Sequence, residues 1–297
     1  MSPHILRVTT KANHIYRKPY IYNIHITQAG IHMDKLEAVY RRKSVRKYSD
    51  EKLSSNLLRD IDEKIKDIDK LNQNIDSSIV LAEDGKSIQK TFSGLKSKIA
   101  RVDAPHYLIG ISEEKNGYLE NIGYMVEEAV LYLTQNKIGS CWLGAGIEHD
   151  LLKDMFDYEY NTVILVSFGL SKSKNVLRNS PESASRKDID ELIINENLPE
   201  DVEQIIEAAR MAPSAMNSQP WRFYYENGVI HVYIEKKGMF KKLVRKIGDL
   251  GKLNHIDVGI ALKHLEISAL HGSKNIRFED QKREMKGYEY ITSALLE

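Results

Sequence analysis

Two short runs of residues carry types and spacings that can do chemistry. In the first, Arg42, Ser44 and Arg46 are two apart, so in an extended segment their side chains share one face. Two planar guanidinium forks flanking a hydroxyl form a clamp for phosphate oxygens, because arginine meets such oxygens bidentately and serine adds an uncharged donor. Taken alone, a basic cluster of this size also suits a solvated surface. In the second run, Pro213 must end the preceding helix, and the small residues Ser214 and Ala215 let the backbone approach a ligand closely. Asn217 adds both a donor and an acceptor. Pro220 and Trp221 are suited to fixing the loop and filling the core.

Other chemistries find little support. Cys141 is the sole cysteine, which excludes an internal disulfide and any multi-cysteine metal site and fits a reducing cytoplasm. Its surroundings read as core. The ten histidines contain no His-Glu-x-x-His pair, and His255 and His264 fall in a helical pattern where a structural role is expected. Gly248 to Gly251 does not follow a strand, so it is not a dinucleotide fingerprint. With 43 Lys and Arg against 42 Asp and Glu, no global field attracts nucleic acid or an anionic membrane. No apolar run reaches the roughly 18 residues a membrane span needs. A small molecule is the expected partner.

The elements that must position the two runs alternate between helix and strand. Helices are expected over Asp34 to Arg42, from Ser54 with Leu57, Leu58, Ile61 and Ile65 at helical spacing, over Leu119 to Leu133 with Gly139 as C-cap, from Pro199 through Ala209, and over Asn254 to His271. The two longest each read as one broad apolar face. Buried strands are expected at Ala104 to Ile111 and Thr162 to Gly169. Asn227-Gly228 between Trp221–Tyr225 and Val229–Ile234 signals a hairpin, since Asn-Gly accepts the positive φ values of a type I′ turn.

The chain of 297 residues, 42% hydrophobic, is long enough for two domain-sized units. Asn121-Ile122-Gly123 overlays Asp257-Val258-Gly259 (123 against 259), and Leu53 and Leu57 overlay Leu198 and Val202 (53 against 198). On the latter register Arg42, Ser44 and Arg46 meet Lys187, Ile189 and Glu191, so the second half lacks the basic pattern and the first lacks the Pro-Ser-x-x-Asn run. Helix-strand alternation also yields such overlays by chance. The expected organisation is an N-terminal extension over 1–32, a first half over 33–170, a linker over 171–185 and a second half over 186–297. The extension carries Arg7, Lys11, Arg17 and Lys18 but no acid; it is read as disordered, with Met33 as the working start and no secretory signal pattern.

Together, Arg41-Arg42-Lys43-Ser44-Val45-Arg46-Lys47-Tyr48 and Ala212-Pro213-Ser214-Ala215-Met216-Asn217-Ser218-Gln219-Pro220-Trp221 resemble the FMN-dependent nitroreductase family, in its tandem-duplicated branch. The resemblance spans roughly residues 33 to 297. It implies an α+β nitroreductase-like fold, two tandem half-units forming a pseudo-dimer with helices packed around mainly antiparallel sheets. In the family, Arg42, Ser44 and Arg46 correspond to the element holding the FMN phosphate. Pro213, Ser214, Ala215 and Asn217 correspond to the loop that meets the ribityl chain and ring edge. Gly139 to Gly146, with Leu143 and Gly144, resembles the loop set against the flavin ring near N5, although a glycine-rich connection reads equally well there. Arg186 and Lys187 match basic residues that complete the phosphate clamp. The stretch from Ile79 to Ala100, where the family often contributes polar contacts to the flavin pyrimidine, departs from the family pattern.

The implied activity is that of a cytoplasmic FMN-dependent oxidoreductase with NAD(P)H as co-substrate, passing hydride through flavin N5 to a small organic acceptor by ping-pong kinetics. No catalytic side chain and no metal are expected, and the chain is expected to act as a monomeric pseudo-dimer. Two alternatives stand beside it, a flavin-holding protein without turnover and a flavin-free interaction module.

Overall fold

The computed structural model describes residues 6–8, 22–27, 30–92, 101–144, 149–195, 198–236 and 250–297. Most of residues 1–32 fall outside this set, and so largely does the expectation of a disordered extension. The described parts, β1 (Leu6–Val8), β2 (Tyr22–Thr27) and β3 (Gly30–His32), pair as a small antiparallel sheet.

Helix starts follow local capping. In α1 (Lys35–Arg41) the Asp34 carboxylate accepts from the Glu37 N–H at 2.7 Å, and in α2 (Ser55–Lys66) the Ser54 hydroxyl accepts from Leu57 at 3.3 Å. The first sheet comprises β4 (Ser77–Ala82), β5 (His106–Ser112), β6 (Gly139–Leu143) and β7 (Asn161–Gly169). Between its strands lie α3 (Gly85–Gln89), α4 (Tyr118–Gln135) and α5 (His149–Phe156). The second half contributes α6 (Glu200–Arg210), β8 (Trp221–Glu226), β9 (Val229–Glu235), α7 (Leu250–His271), β10 (Ile276–Glu279) and β11 (Tyr288–Leu296).

Both four-stranded sheets are antiparallel, with orders β4-β5-β7-β6 and β8-β9-β11-β10. The order is the same in each half, and so is the placement of a long helix between the second and third strands. A topology therefore repeats within the chain. One apolar core runs through both halves, joining Leu108, Ile122, Val126 and Val166 to Ile206, Trp221, Val258 and Leu265. A second cluster, including Tyr107, Ile109, Leu152 and Leu165, is formed by the first half alone.

The hairpin forms as expected, with Asn227 at φ 50° and Gly228 at φ 83°. Three expectations need correction. Helix α4 does not end on Gly139: it stops at Gln135, Lys137 takes the left-handed turn at φ 58°, and Gly139 opens β6. The glycine is needed there because a Cβ would lie 2.9 Å from Val45. Pro199 is the residue before α6 rather than its first turn. The long helices α4 and α7 are buried on nearly every side, not on one face, and so bury Glu127, Glu128, Asp257, Lys263 and His264. Leu250 and Gly251 belong to the start of α7, while Gly248 and Asp249 lie outside the described residues. No described helix is long and apolar enough to cross a membrane.

Candidate functional site

Residues 42–48 leave α1 in an extended path and bridge to β6 through Ser44 and Ser140, with the Val45 N–H donating to Ser140 O at 2.8 Å. Arg42, Ser44 and Arg46 converge on the Cys141 thiol. Burial raises that thiol, while Arg46, Arg42 and a hydrogen bond with Ser44 hold it down. The two arginines differ sharply in exposure: Arg42 is buried and Arg46 is solvent-exposed.

Arg42 is the unusual group. At 3% exposure, its Nε and Nη1 donors have no hydrogen-bond partner. Its ion-pair partner, Glu127, lies 3.9 Å away, beyond hydrogen-bonding distance. A buried unpaired donor costs roughly 1–3 kcal/mol, and more on a charged group. Burial pushes the Arg42 pKa down, partly offset by Glu127.

Glu127, fully buried on α4, accepts from Trp142 Nε1 at 3.1 Å and faces His264 Nε2 at 2.9 Å. The other His264 nitrogen faces Ala208 O at 3.0 Å, so that nitrogen carries a proton. The second nitrogen then either donates to Glu127 as imidazolium or accepts from a protonated carboxyl. This group ties α1, α4, β6, α6 and α7 together. Its acid and histidine sit on helices whose apolar spacing reads as plain core, so nothing local in the sequence marks them.

From the second half, the Pro213–Gln219 loop and residues 185–187 lock to each other. Asn217 Nδ2 donates to Ser185 O at 3.0 Å and Arg186 Nη1 donates to Asn217 Oδ1 at 3.0 Å. The Lys187 N–H donates to Gln219 Oε1 at 2.9 Å, and Lys187 Nζ to Gln219 O at 3.2 Å. The Ser214 hydroxyl accepts from the Gln219 N–H at 3.0 Å. Met216, Asn217 and Gln219 all hold left-handed φ values of 52°, 55° and 46°. Asparagine tolerates that region, whereas Met and Gln are strained there by about 1–3 kcal/mol each. Such strain persists only where surrounding bonds fix the backbone.

Below the loop, the Ala215 N–H meets both carboxyl oxygens of Asp257 at 3.1 and 3.0 Å. Burial raises the Asp257 pKa well above the usual carboxylate range, with the Ala215 bond opposing it. Pro213 is buried, and Ser214 and Ala215 are half-buried.

Arg186 joins the two halves electrostatically. Its Nη2 donates to Met211 O at 3.0 Å, while its buried Nε has no partner. Burial, followed by repulsion from Arg42, Arg178 and Arg210, holds it down to about 9. Leu143 is buried at the end of β6, and Gly144 lies where a Cβ would sit 2.7 Å from Leu253 of α7. Ala145 and Gly146 lie outside the described residues. The structure thus brings Arg42 together with Arg186 and Asn217 across the halves. It places Ser44 and Arg46 on the neighbouring edge of β6, and sets Leu143 and Gly144 against α7.

A family model described as "Putative TM nitroreductase" matches residues 34–269. A Thermotoga maritima structure described as a "putative nitroreductase" is similar over 91% of this chain and 96% of its own, at 22% identity and a TM-score of 0.60. An FMN-dependent nitroreductase from Clostridium difficile aligns over 54% of this chain and 98% of its own, at 16% identity and a TM-score of 0.43. No protein of curated function matches the chain.

Proposed function

Since the chain belongs to the TM nitroreductase family, we propose that it is an FMN-dependent oxidoreductase with one composite site per chain, the first half supplying the phosphate clamp and the second the Pro213–Asn217 loop. The observation that carries this reading is a set of buried guanidinium donors without partners, Arg42 Nε and Nη1 from the first half and Arg186 Nε from the second. Buried donors without acceptors, held together against their own repulsion, fit an absent anion better than a finished core.

In this reading Arg42 and Arg186 hold the FMN phosphate, with Ser44 and Arg46 at its edge. Asn217 stands at the ribityl side, its orientation fixed by Ser185 and Arg186. Leu143 and Gly144 line the ring side, and Pro213, Ser214 and Ala215 let the backbone approach. Bound FMN would supply a two-electron hydride carrier at N5, serving NAD(P)H and a small organic acceptor in turn. The protein's share is binding, orientation and exclusion of water. No side chain need donate or accept a proton in the chemical step. The repeated sheet order supports a tandem duplication; in this reading the chain acts as a monomeric pseudo-dimer in the cytoplasm, on a small molecule and without nucleic acid, membrane or metal.

Anaerobic addition of NADPH to the FMN-loaded protein tests turnover. Bleaching of the visible flavin bands, reversed by a nitroaromatic or quinone, is expected, with parallel steady-state lines. A flavin that stays oxidised in excess NADH and NADPH would identify a holding protein.

A further inference from the structure

Arg178 lies in the segment joining the two halves, among Ser, Lys and Asn residues that read as a linker. It is buried instead, at 8% exposure. Its N–H donates to Arg41 O at 2.7 Å, its carbonyl accepts from Arg41 Nε at 2.7 Å, and its Nη1 donates to Tyr40 O at 3.3 Å. These bonds fasten it to the last turn of α1, next to Arg42. The partial negative charge of that helix end offsets its charge only in part.

The local charge balance is unequal. Among the described residues, neither Arg178 nor Arg186 forms a salt bridge with a carboxylate, and Arg42 has Glu127 at 3.9 Å, an acid also engaged by Trp142 and His264. Arg210, the fourth guanidinium nearby, has its own partner in Glu207. Three guanidinium groups, Arg42 and Arg178 buried and Arg186 half-buried, stand near a single carboxylate that is already engaged, so positive charge is in excess. Burial, then Arg42 and Arg210, hold Arg178 down to about 10. A phosphate monoester brings about −1.5 to −2 at pH 7, the sign of charge that this excess calls for.

We propose that Arg178 is a third arm of the anion clamp, so that the segment joining the halves is part of the binding site. This rests on the reading that the site takes a phosphorylated flavin. Substitution of the full-length protein separates clamping from helix capping. Arg178→Gln is expected to weaken FMN by about tenfold or more, the loss of one charge-assisted bond, to leave riboflavin affinity unchanged, and not to lower the melting temperature of the flavin-free protein, since like-charge repulsion is relieved. A lowered melting temperature with an unchanged ratio of FMN to riboflavin affinity would overturn the proposal in favour of a cap. If the glutamine variant does not accumulate folded, Arg178→Lys decides, because it keeps the charge but loses the fork. FMN affinity reduced more than riboflavin affinity supports the clamp, and both unchanged overturn it. Inorganic phosphate tells the two readings apart. Wild-type protein stabilised by phosphate through Arg178 but blind to FMN would sink the cofactor and keep the clamp, whereas indifference to both ligands would sink both.

Discussion

Gly123 of α4 and Gly259 of α7 meet where the two central helices cross. A Cβ on Gly123 would lie 2.2 Å from Ile256 O and 3.2 Å from Gly259 Cα, and one on Gly259 would lie 2.1 Å from Glu120 O. The two glycines hold the same register in the repeated sequence. Contacts across the crossing come in related pairs: Glu127 faces His264, and the equivalent positions, Glu128 and Lys263, face each other at 3.8 Å. One pair adjoins Arg42. The other joins Lys35, Lys64 and Glu266 in an ionic network that reaches from the core to the surface.

Alanine at either glycine is expected to destabilise. Helix propensity alone favours alanine by about 1 kcal/mol, but a backbone carbonyl near 2 Å cannot yield as a side-chain tip would, and overpacking typically costs about 1–3 kcal/mol or more. The clash wins. Urea denaturation of Gly123→Ala and Gly259→Ala should show lower midpoints, and a midpoint at or above wild type would contradict the close crossing.

Removing Glu127 should be among the most damaging single changes away from the loop. Glu127→Ala leaves Arg42 without its counter-ion, Trp142 without an acceptor and His264 without its partner, a situation that costs about 3–5 kcal/mol. Thermal unfolding at neutral pH measures it, and a loss under 1 kcal/mol would show that the cluster is not structural.

Asp257 gives a pH signature. Its folded-state pKa is raised, so its contribution is fully present below the ordinary carboxylate range and is lost as pH rises through the folded value. Asp257→Asn keeps an acceptor for Ala215 and copies the first half, where Asn121 Oδ1 accepts from the Asn72 N–H at 2.9 Å. The variant should be more stable than wild type at neutral pH, with the advantage shrinking on acidification. A constant difference across the range would rule out the buried acid as its cause.

For the clamp, Arg42→Ala should weaken FMN by about 1.5–3 kcal/mol and Asn217→Ala by about 0.5–1.5 kcal/mol. Arg186, held down to about 9 by burial and by Arg42, adds a pH dependence. A base with a depressed folded pKa is costly to keep charged below that value and neutralises above it, so FMN affinity should hold from pH 7 to about 9 and then fall. Fluorescence titration across that range checks it, and an undiminished affinity at pH 10.5 would show that Arg186 does not lose its charge there.

Much of this was legible locally. Asp34, Ser54 and Asn227-Gly228 act through neighbours a few residues away, so their spacing is enough to read them. The site was legible as two separate runs, because Arg42 and Asn217 keep recognisable surroundings in their own segments. What escaped depends on partners far along the chain. Glu127 and His264 meet across the helix crossing, Gly139 is a glycine because of Val45, and Arg178 is buried by the end of α1 although its own segment is polar. Composition around each residue pointed the other way.

The composite site is tested most directly by counting flavin. The purified full-length chain is loaded with FMN, desalted and denatured, and the released flavin is measured against protein. One FMN per chain is predicted, with the clamp from one half and the loop from the other. Two per chain would mean that each half binds alone, and none would mean that the arginine cluster serves something other than FMN.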